Sequence, residues 1–195
     1  QYKDYYLQSR HNATINTSID TSITNSLSNT DWQNEIYHNA LIQNHMISVR
    51  GGTGQSRYFT SVNYFRQDGI IRNTDFTRFS VRFNGDQAIS DRFQLSENIL
   101  LSYNQSDGIL GDEVVSNGAA WARPTQPVLD AGGNPSMVSL PYARTNPRAL
   151  VDEVVNQSQN YRVVANLVLD YKIFKGVTAK VSVGTEDNIP LTNYY

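Results

Sequence analysis

Trp121, Arg123 and Tyr142 are the residues of this 195-residue sequence whose chemistry best suits holding a ligand. Flat aromatic faces stack on sugars and peptides, and a guanidinium adds directed hydrogen-bond donors. All three fall between residues 106 and 159, a stretch without sustained hydrophobic periodicity that carries Pro124, Pro127, Pro135, Pro141 and Pro147, all but one of the prolines. A second role suits the same side chains, namely folding that stretch onto itself or onto neighbouring loops.

Reaction chemistry is not encoded in a comparable way. His11, His38 and His45 are too scattered for a metal set, because they lack the i, i+4 spacing or nearby carboxylate that a zinc site needs. Asp112-Glu113 beside Asp107 supplies oxygen ligands, but the spacing matches no EF-hand loop and reads as a solvated acidic loop. Gly51-Gly52-Thr53-Gly54-Gln55-Ser56 lacks the lysine and the following helix of a phosphate-binding loop; it reads as a hairpin turn whose glycines supply positive φ. With no cysteine, disulfides, thiolate-bound zinc and thiol catalysis drop out together. A net charge of −2 offers no basic footprint for nucleic acid. The sequence therefore predicts no catalytic residues, no metal and no cofactor.

The elements that position the long stretch are strands. Phe79, Val81 and Phe83 interleave with Arg78, Ser80, Arg82 and Asn84. Tyr161, Val163, Ala165, Leu167, Leu169 and Tyr171 interleave with Arg162, Asn166, Asp170 and Lys172. A period of two puts apolar carbon on one face and guanidinium or amide groups on the other. The pattern predicts strands over 44–50, 57–67, 76–84, 93–104, 160–172 and from 177 to about 186. The second has an ambiguous inside, since Phe59 and Phe65 oppose Tyr58, Thr60, Val62 and Tyr64. Glu97 interrupts the apolar face of the fourth and marks either a bulge or a protein-covered patch. Residues 1–43 read as a linker, poor in core-forming side chains, that ends in a short helix over 32–37 with Thr30-Asp31 as its cap.

Two architectures use such strands. A sandwich buries the apolar face in a shared core, whereas a transmembrane barrel turns it to lipid and keeps the polar face toward a wet lumen. Only 17% of the residues are charged, 11% are aromatic and 12 are tyrosines, a profile suited to the barrel. Connection lengths point the same way. In an up-and-down meander the turns at 51–56, 86–91 and 174–176 share one end and are short, while 67–75 and 106–159 share the other and are longer. Short periplasmic turns and long extracellular loops produce this asymmetry. The expected fold is all-β, with antiparallel up-and-down strands over 44–195 forming part of a large transmembrane β-barrel. Arg78 and Arg82 are expected to face its lumen. The chain begins at Gln1 rather than Met and stops at Tyr195 just beyond a strand, which reads as a piece of something larger.

An ordered series of short motifs carries a family resemblance. Thr30-Asp31-Trp32-Gln33-Asn34-Glu35-Ile36, Gln43-Asn44, Ser48-Val49-Arg50-Gly51-Gly52, Arg57-Tyr58, Tyr64-Phe65, Gln67-Asp68-Gly69-Ile70-Ile71 and Asn73-Thr74-Asp75-Phe76-Thr77-Arg78-Phe79-Ser80 resemble the start of the barrel in SusC/RagA-type TonB-dependent outer-membrane transporters. Pro127-Val128-Leu129-Asp130, Gly133 and Asn146-Pro147-Arg148-Ala149 are similar to the same family. The resemblance implies a barrel of about twenty-two strands, plugged by an N-terminal domain, of which this chain supplies roughly the first six. It places the protein in the outer membrane of a Gram-negative bacterium, surrounded by outer-membrane lipid. It further implies an oligosaccharide or peptide substrate, a SusD-like surface lipoprotein as lid, and a TonB complex acting through a plug that this chain does not contain. Two alternatives stand beside it: a soluble or surface-anchored all-β carbohydrate-binding module that recognises ligand with the 106–159 loop, and a secreted β-sandwich hydrolase. What separates them is whether Phe79, Val81, Phe83, Leu167 and Leu169 meet hydrocarbon or a second protein layer.

Overall fold

The computed structural model describes residues 28–109, 118–136, 146–153 and 156–194, together with Asp4, Tyr5 and Gln8. It divides into two compact units, one of residues 39–108 and 155–195 and one of residues 1–38 and 109–154.

The first unit is a single sheet of six antiparallel strands in sequence order: β1 (Ile42–Gly52), β2 (Ser56–Asp68), β3 (Asp75–Ala88), β4 (Phe93–Gly108), β5 (Asn156–Phe174) and β6 (Val177–Tyr194). Directly opposed residues share a face, so the register sorts every side chain. One row reads Ile47, Val62, Val81, Leu101 and Val163 and ends on Asp187; the next reads His45, Tyr64, Phe79, Tyr103, Tyr161 and Ile189. The opposite face carries Met46, Asn63, Ser80, Ser102, Arg162 and Asn188 in one row. The ambiguity of β2 is thereby removed: Tyr58 to Tyr64 join the apolar face, and Phe59 and Phe65 stand among polar groups. The register runs unbroken past Glu97, which sits opposite Gly85 and Leu167. The bulge expected there does not exist; the irregularity lies at Lys172–Phe174 instead.

Three strands run further than hydrophobic alternation predicts. β4 continues to Gly108, β5 begins at Asn156 and β6 reaches Tyr194. In the extensions of β4 and β5 both faces are polar, as with Gln105, Ser106 and Asp107 opposite Gln159, Ser158 and Gln157, so the period-two signal vanishes while the ladder persists; in that of β6, Asp187 interrupts the apolar face ahead of Ile189 and Leu191. The reversal after β1 also differs from expectation. Gly51 and Gly52 belong to β1, and the positive-φ glycines among the described residues are Gly133 and Gly176. Thr53 makes the turn: its Oγ1 accepts from the N–H groups of Gln55 and Ser56, each at 3.2 Å. Gly52 is needed for space, since a Cβ there would run into the Ser56 carbonyl oxygen and lie 2.9 Å from the Arg57 Cα.

Among the described residues of the second unit, Trp32–Ile36 forms one helix, α1, and Pro147–Glu153 another, α2. Asp31 caps α1 by accepting from the N–H groups of Gln33 and Asn34. Asn146 and Pro147 start α2 in the same manner, with Asn146 Oδ1 accepting from Arg148 N at 2.9 Å and proline at the first helical position. Trp32, Ile36, Ala119, Ala149 and Val151 form the buried core of this unit.

Candidate functional site

The outer face of the sheet is the first functional surface. Ile47 is 76% exposed, Phe79 45%, Leu101 47%, Leu167 47% and Val183 68%, values foreign to a protein core. These residues form a band with borders. Tyr103 pairs with Tyr161 at a ring separation of 4.8 Å, and ten residues further along both strands Phe93 stacks on Tyr171 at 4.5 Å. Ten residues span about 33 Å of strand and, at a barrel tilt near 40°, about 25 Å of membrane normal, the height of an apolar band between aromatic girdles. Beyond the Tyr103 row the same face turns polar. Tyr103 Oη donates to Gln105 Oε1 (3.0 Å), Gln105 to Asp107 (3.2 Å) and Gln157 to Asp107 (2.8 Å), while Arg66 pairs with Asp68 at 2.9 Å and Asp75 at 3.6 Å.

Asp75 and Asp107 are opposed carboxyls in this polar rim, four residues beyond Phe79 and Tyr103 and so outside the apolar band. Burial, then the hydrogen bond and charge of Asp107, hold Asp75 above the usual carboxylate range. Burial pushes Asp107 up as well, but donation from Gln157, Gln105 and Asp75 outweighs it and leaves Asp107 below that range. A proton taken up by the pair therefore goes to Asp75 first.

The inner face is mostly polar in its middle, with Leu100, Val164 and Val168 among its polar groups. Asn63 Nδ2 donates to Asn44 Oδ1 at 2.7 Å, and Arg162 meets Glu186 at 2.7 Å. Arg78 and Arg82 both lie on this face. Arg78 stands 5.3 Å from the centroid of Phe65, a cation–π contact that also explains an aromatic ring on a polar face. Toward the short turns, a hollow of about 670 Å³ is lined by Arg50, Arg57, Phe59, Asn84 and Asp86, among others. A second of about 410 Å³ carries Arg92, Lys172 and Lys180 around Asp170.

The second unit positions two of the three ligand-holding candidates. Trp121 is 61% exposed in a turn closed by the Ala122 N–H donating to the Gly118 carbonyl, and Arg123 follows, half-buried. Tyr142 lies outside the described residues, as do His11, Asp112 and Glu113. Among the described residues no group of three His, Asp or Glu side chains is placed to hold a metal.

The organiser of this unit is Asn146, fully buried, which the sequence reading did not single out. Its Nδ2 donates to the carbonyls of Val128 (2.8 Å) and Ser136 (3.2 Å), fixing a small hairpin in which Asp130 Oδ1 accepts from Gly132 and Asn134. Asparagine followed by proline ahead of an Ala-Leu-Val run is a helix-start signal that identifies α2, although not the carbonyls that Asn146 serves.

No family model matches the chain. Curated relatives do. TonB-dependent receptor P3 of Formosa agariphila is 32% identical over 166 residues, covering 80% of this chain and 16% of the relative. TonB-dependent receptor SusC of Bacteroides thetaiotaomicron is 27% identical, covering 74% of this chain and 17% of the relative. The chain thus spans about a sixth of the length of these receptors. Among solved structures, the RagAB peptide importer in its open-open state superposes with a TM-score of 0.75 at 17% identity, over 97% of this chain and 25% of that one. The RagAB peptide transporter gives 0.66 at 18% identity, over 85% and 19%. These superpositions establish the fold, six up-and-down strands of a β-barrel. The apolar band and the strand order agree with the sequence likeness, and the chain is similar over most of its length to a strand-bearing stretch of the SusC-type TonB-dependent receptors.

Proposed function

We propose that the intact protein is an outer-membrane importer of oligosaccharides or peptides and that this chain supplies six adjacent strands of its wall. The observation that carries the reading is the exposed apolar band bounded by Tyr103–Tyr161 and Phe93–Tyr171 on a sheet one layer thick. Lipid is the neighbour that such a face requires, and a closed barrel satisfies the free edges of β1 and β6. In this reading the short turns face the periplasm, and the polar face, with Arg78 and Arg82, lines the lumen. The connection after β4 then lies outside the cell, where Trp121, Arg123 and Tyr142 bind substrate. A SusD-like lipoprotein covers that side, and a TonB complex drives passage through a plug encoded elsewhere in the protein. Kinship to SusC supports these partners.

The test is made on the full-length protein in its host. It should fractionate with the outer membrane and show heat-modifiable gel mobility. Deletion of its gene should abolish uptake of at least one member of a panel containing maltohexaose, xylohexaose and tryptic casein peptides. Recovery in the soluble fraction without detergent would overturn the membrane assignment; unaltered uptake across the panel would overturn the nutrient class.

A further inference from the structure

Residues 30–32 clamp the turn that carries Trp121 and Arg123. The Thr30 N–H donates to the Pro124 carbonyl at 2.8 Å, and its hydroxyl donates to the Gln126 carbonyl at 2.6 Å. Trp32 Nε1 donates to the Arg123 carbonyl at 2.9 Å. Three of the four carbonyls from 123 to 126 are thus held by a segment more than ninety positions away, which cannot move with the turn as a local motif would. The clamp is itself rigid. Trp32 is 3% exposed, and Asp31 fixes the start of α1 between the two clamping residues. On the opposite flank, the Ala122 N–H closes onto the Gly118 carbonyl at 2.9 Å, and the Gln126 N–H onto Arg123 at 3.0 Å.

We infer that Thr30 and Trp32 are positioning residues for ligand capture: they set the affinity of the Trp121–Arg123 turn without touching the ligand. The inference rests on the reading that this turn contacts substrate. A turn held in its binding geometry beforehand does not lose conformational freedom when ligand arrives, so releasing it weakens binding while leaving later transport steps intact. A role confined to folding would instead lower the amount of inserted protein and leave the affinity of each inserted copy unchanged.

The experiment uses the full-length protein with Trp32→Phe, which keeps the buried ring and removes the Nε1 donor, and separately Thr30→Val, which keeps shape and removes the hydroxyl. Two readouts are taken per inserted copy. A nitroxide on Ala122→Cys, with any cysteines elsewhere in the protein replaced, reports mobility of the turn and should give a more mobile line shape in both variants. Uptake of whichever panel member the parent transports should show KM raised about three- to tenfold with the maximal rate within twofold, the effect of one hydrogen bond withdrawn from positioning. An unchanged line shape in both variants overturns the clamp. If Trp121→Ala raises KM while Trp32→Phe and Thr30→Val do not, positioning fails and the substrate site stands. If Trp121→Ala leaves KM unchanged, the substrate site itself fails.

Discussion

An arginine series along β4 measures directly whether hydrocarbon touches the outer face. Tyr103, Leu101 and Ile99 share that face, whereas Ser102 and Asn98 point to the other. At about 3.3 Å per residue and a tilt near 40°, Leu101 lies about 5 Å and Ile99 about 10 Å inside the Tyr103 row, the latter close to the middle of a band about 25 Å high. Arginine should therefore cost about 0–1 kcal/mol at 103, an intermediate amount at 101 and about 2–4 kcal/mol at 99. Glu97 complicates the deepest position, since it lies on the same face two residues away, about 7 Å along the strand. At an effective dielectric near 20 an ion pair at that distance returns about 2 kcal/mol. Ile99→Arg should thus show its full cost only in a Glu97→Gln background, and the difference between backgrounds is itself an expected coupling of about 2 kcal/mol. Ser102→Arg and Asn98→Arg should stay within about 0.5 kcal/mol. The assay is reversible unfolding of the full-length protein in lipid vesicles, with the folded fraction read from heat-modifiable gel mobility. A cost independent of depth, or equal at Leu101 and Ser102, refutes the assignment of this face to lipid.

Other consequences are local. Gly52→Val would drive its side chain into the Ser56 carbonyl and the Arg57 backbone and should cost about 1–3 kcal/mol, whereas Gly51→Ala, which meets only the movable Tyr58 ring, should cost less, as read by unfolding of the full-length protein in lipid vesicles. Asn146→Leu takes one of two donors from each of the Val128 and Ser136 carbonyls, which keep the Ser136 N–H and Gln126 Nε2, and leaves the Arg148 N–H uncapped. It should raise hydrogen exchange across 128–136 by the equivalent of about 1–2 kcal/mol while leaving β3 and β4 protected. The Asp75–Asp107 pair gives a signed pH dependence. Because Asp75 is raised in the folded state, the native rim binds a proton before the unfolded chain does, and acidification from neutral pH should increase exchange protection at the start of β3 and the end of β4. Below the ordinary carboxylate range Asp107 also protonates, its bonds from Gln105 and Gln157 weaken, and protection should fall again. Asp75→Asn mimics the protonated state and should abolish the first change; persistence of that change in the variant would place the proton elsewhere.

The sheet was legible in the sequence wherever membrane depth imposed alternation. Between the aromatic rows the outward residues are mostly apolar, with Thr60, Glu97, Thr185 and Asp187 as exceptions, and the inward ones are mostly polar, so Phe79 to Asn84 and Tyr161 to Lys172 announce their faces. Beyond the rows both faces are wet, and Gln157, Ser158 and Gln159 form a strand that no periodicity reveals. β2 fails for another reason. Its Phe65 is apolar on a polar face because it supports Arg78 and tilts against Phe76 at 6.0 Å, contacts that exist only once β3 has paired. Glu97 is the converse case. It keeps regular register opposite Gly85 and Leu167, so its carboxylate breaks the apolar alternation without breaking the ladder.

The second unit was illegible because its bonds are long in sequence and aimed at carbonyls. A buried Trp32 beside an Asp cap is visible as a helix start, but the carbonyl receiving its Nε1 belongs to Arg123, and backbone acceptors carry no residue-type signal. The same holds for Asn146, whose partners are backbone groups but for the Ser136 hydroxyl at 3.5 Å. What the sequence does record is the donor side: Thr30, Trp32 and Asn146 are side chains that a loosely held linker or loop would have no reason to bury. A segment that reads as unstructured between strands therefore folds when a few such donors find the carbonyls of another, and an isolated buried tryptophan or asparagine in a proline-rich connection marks that a distant segment closes over it.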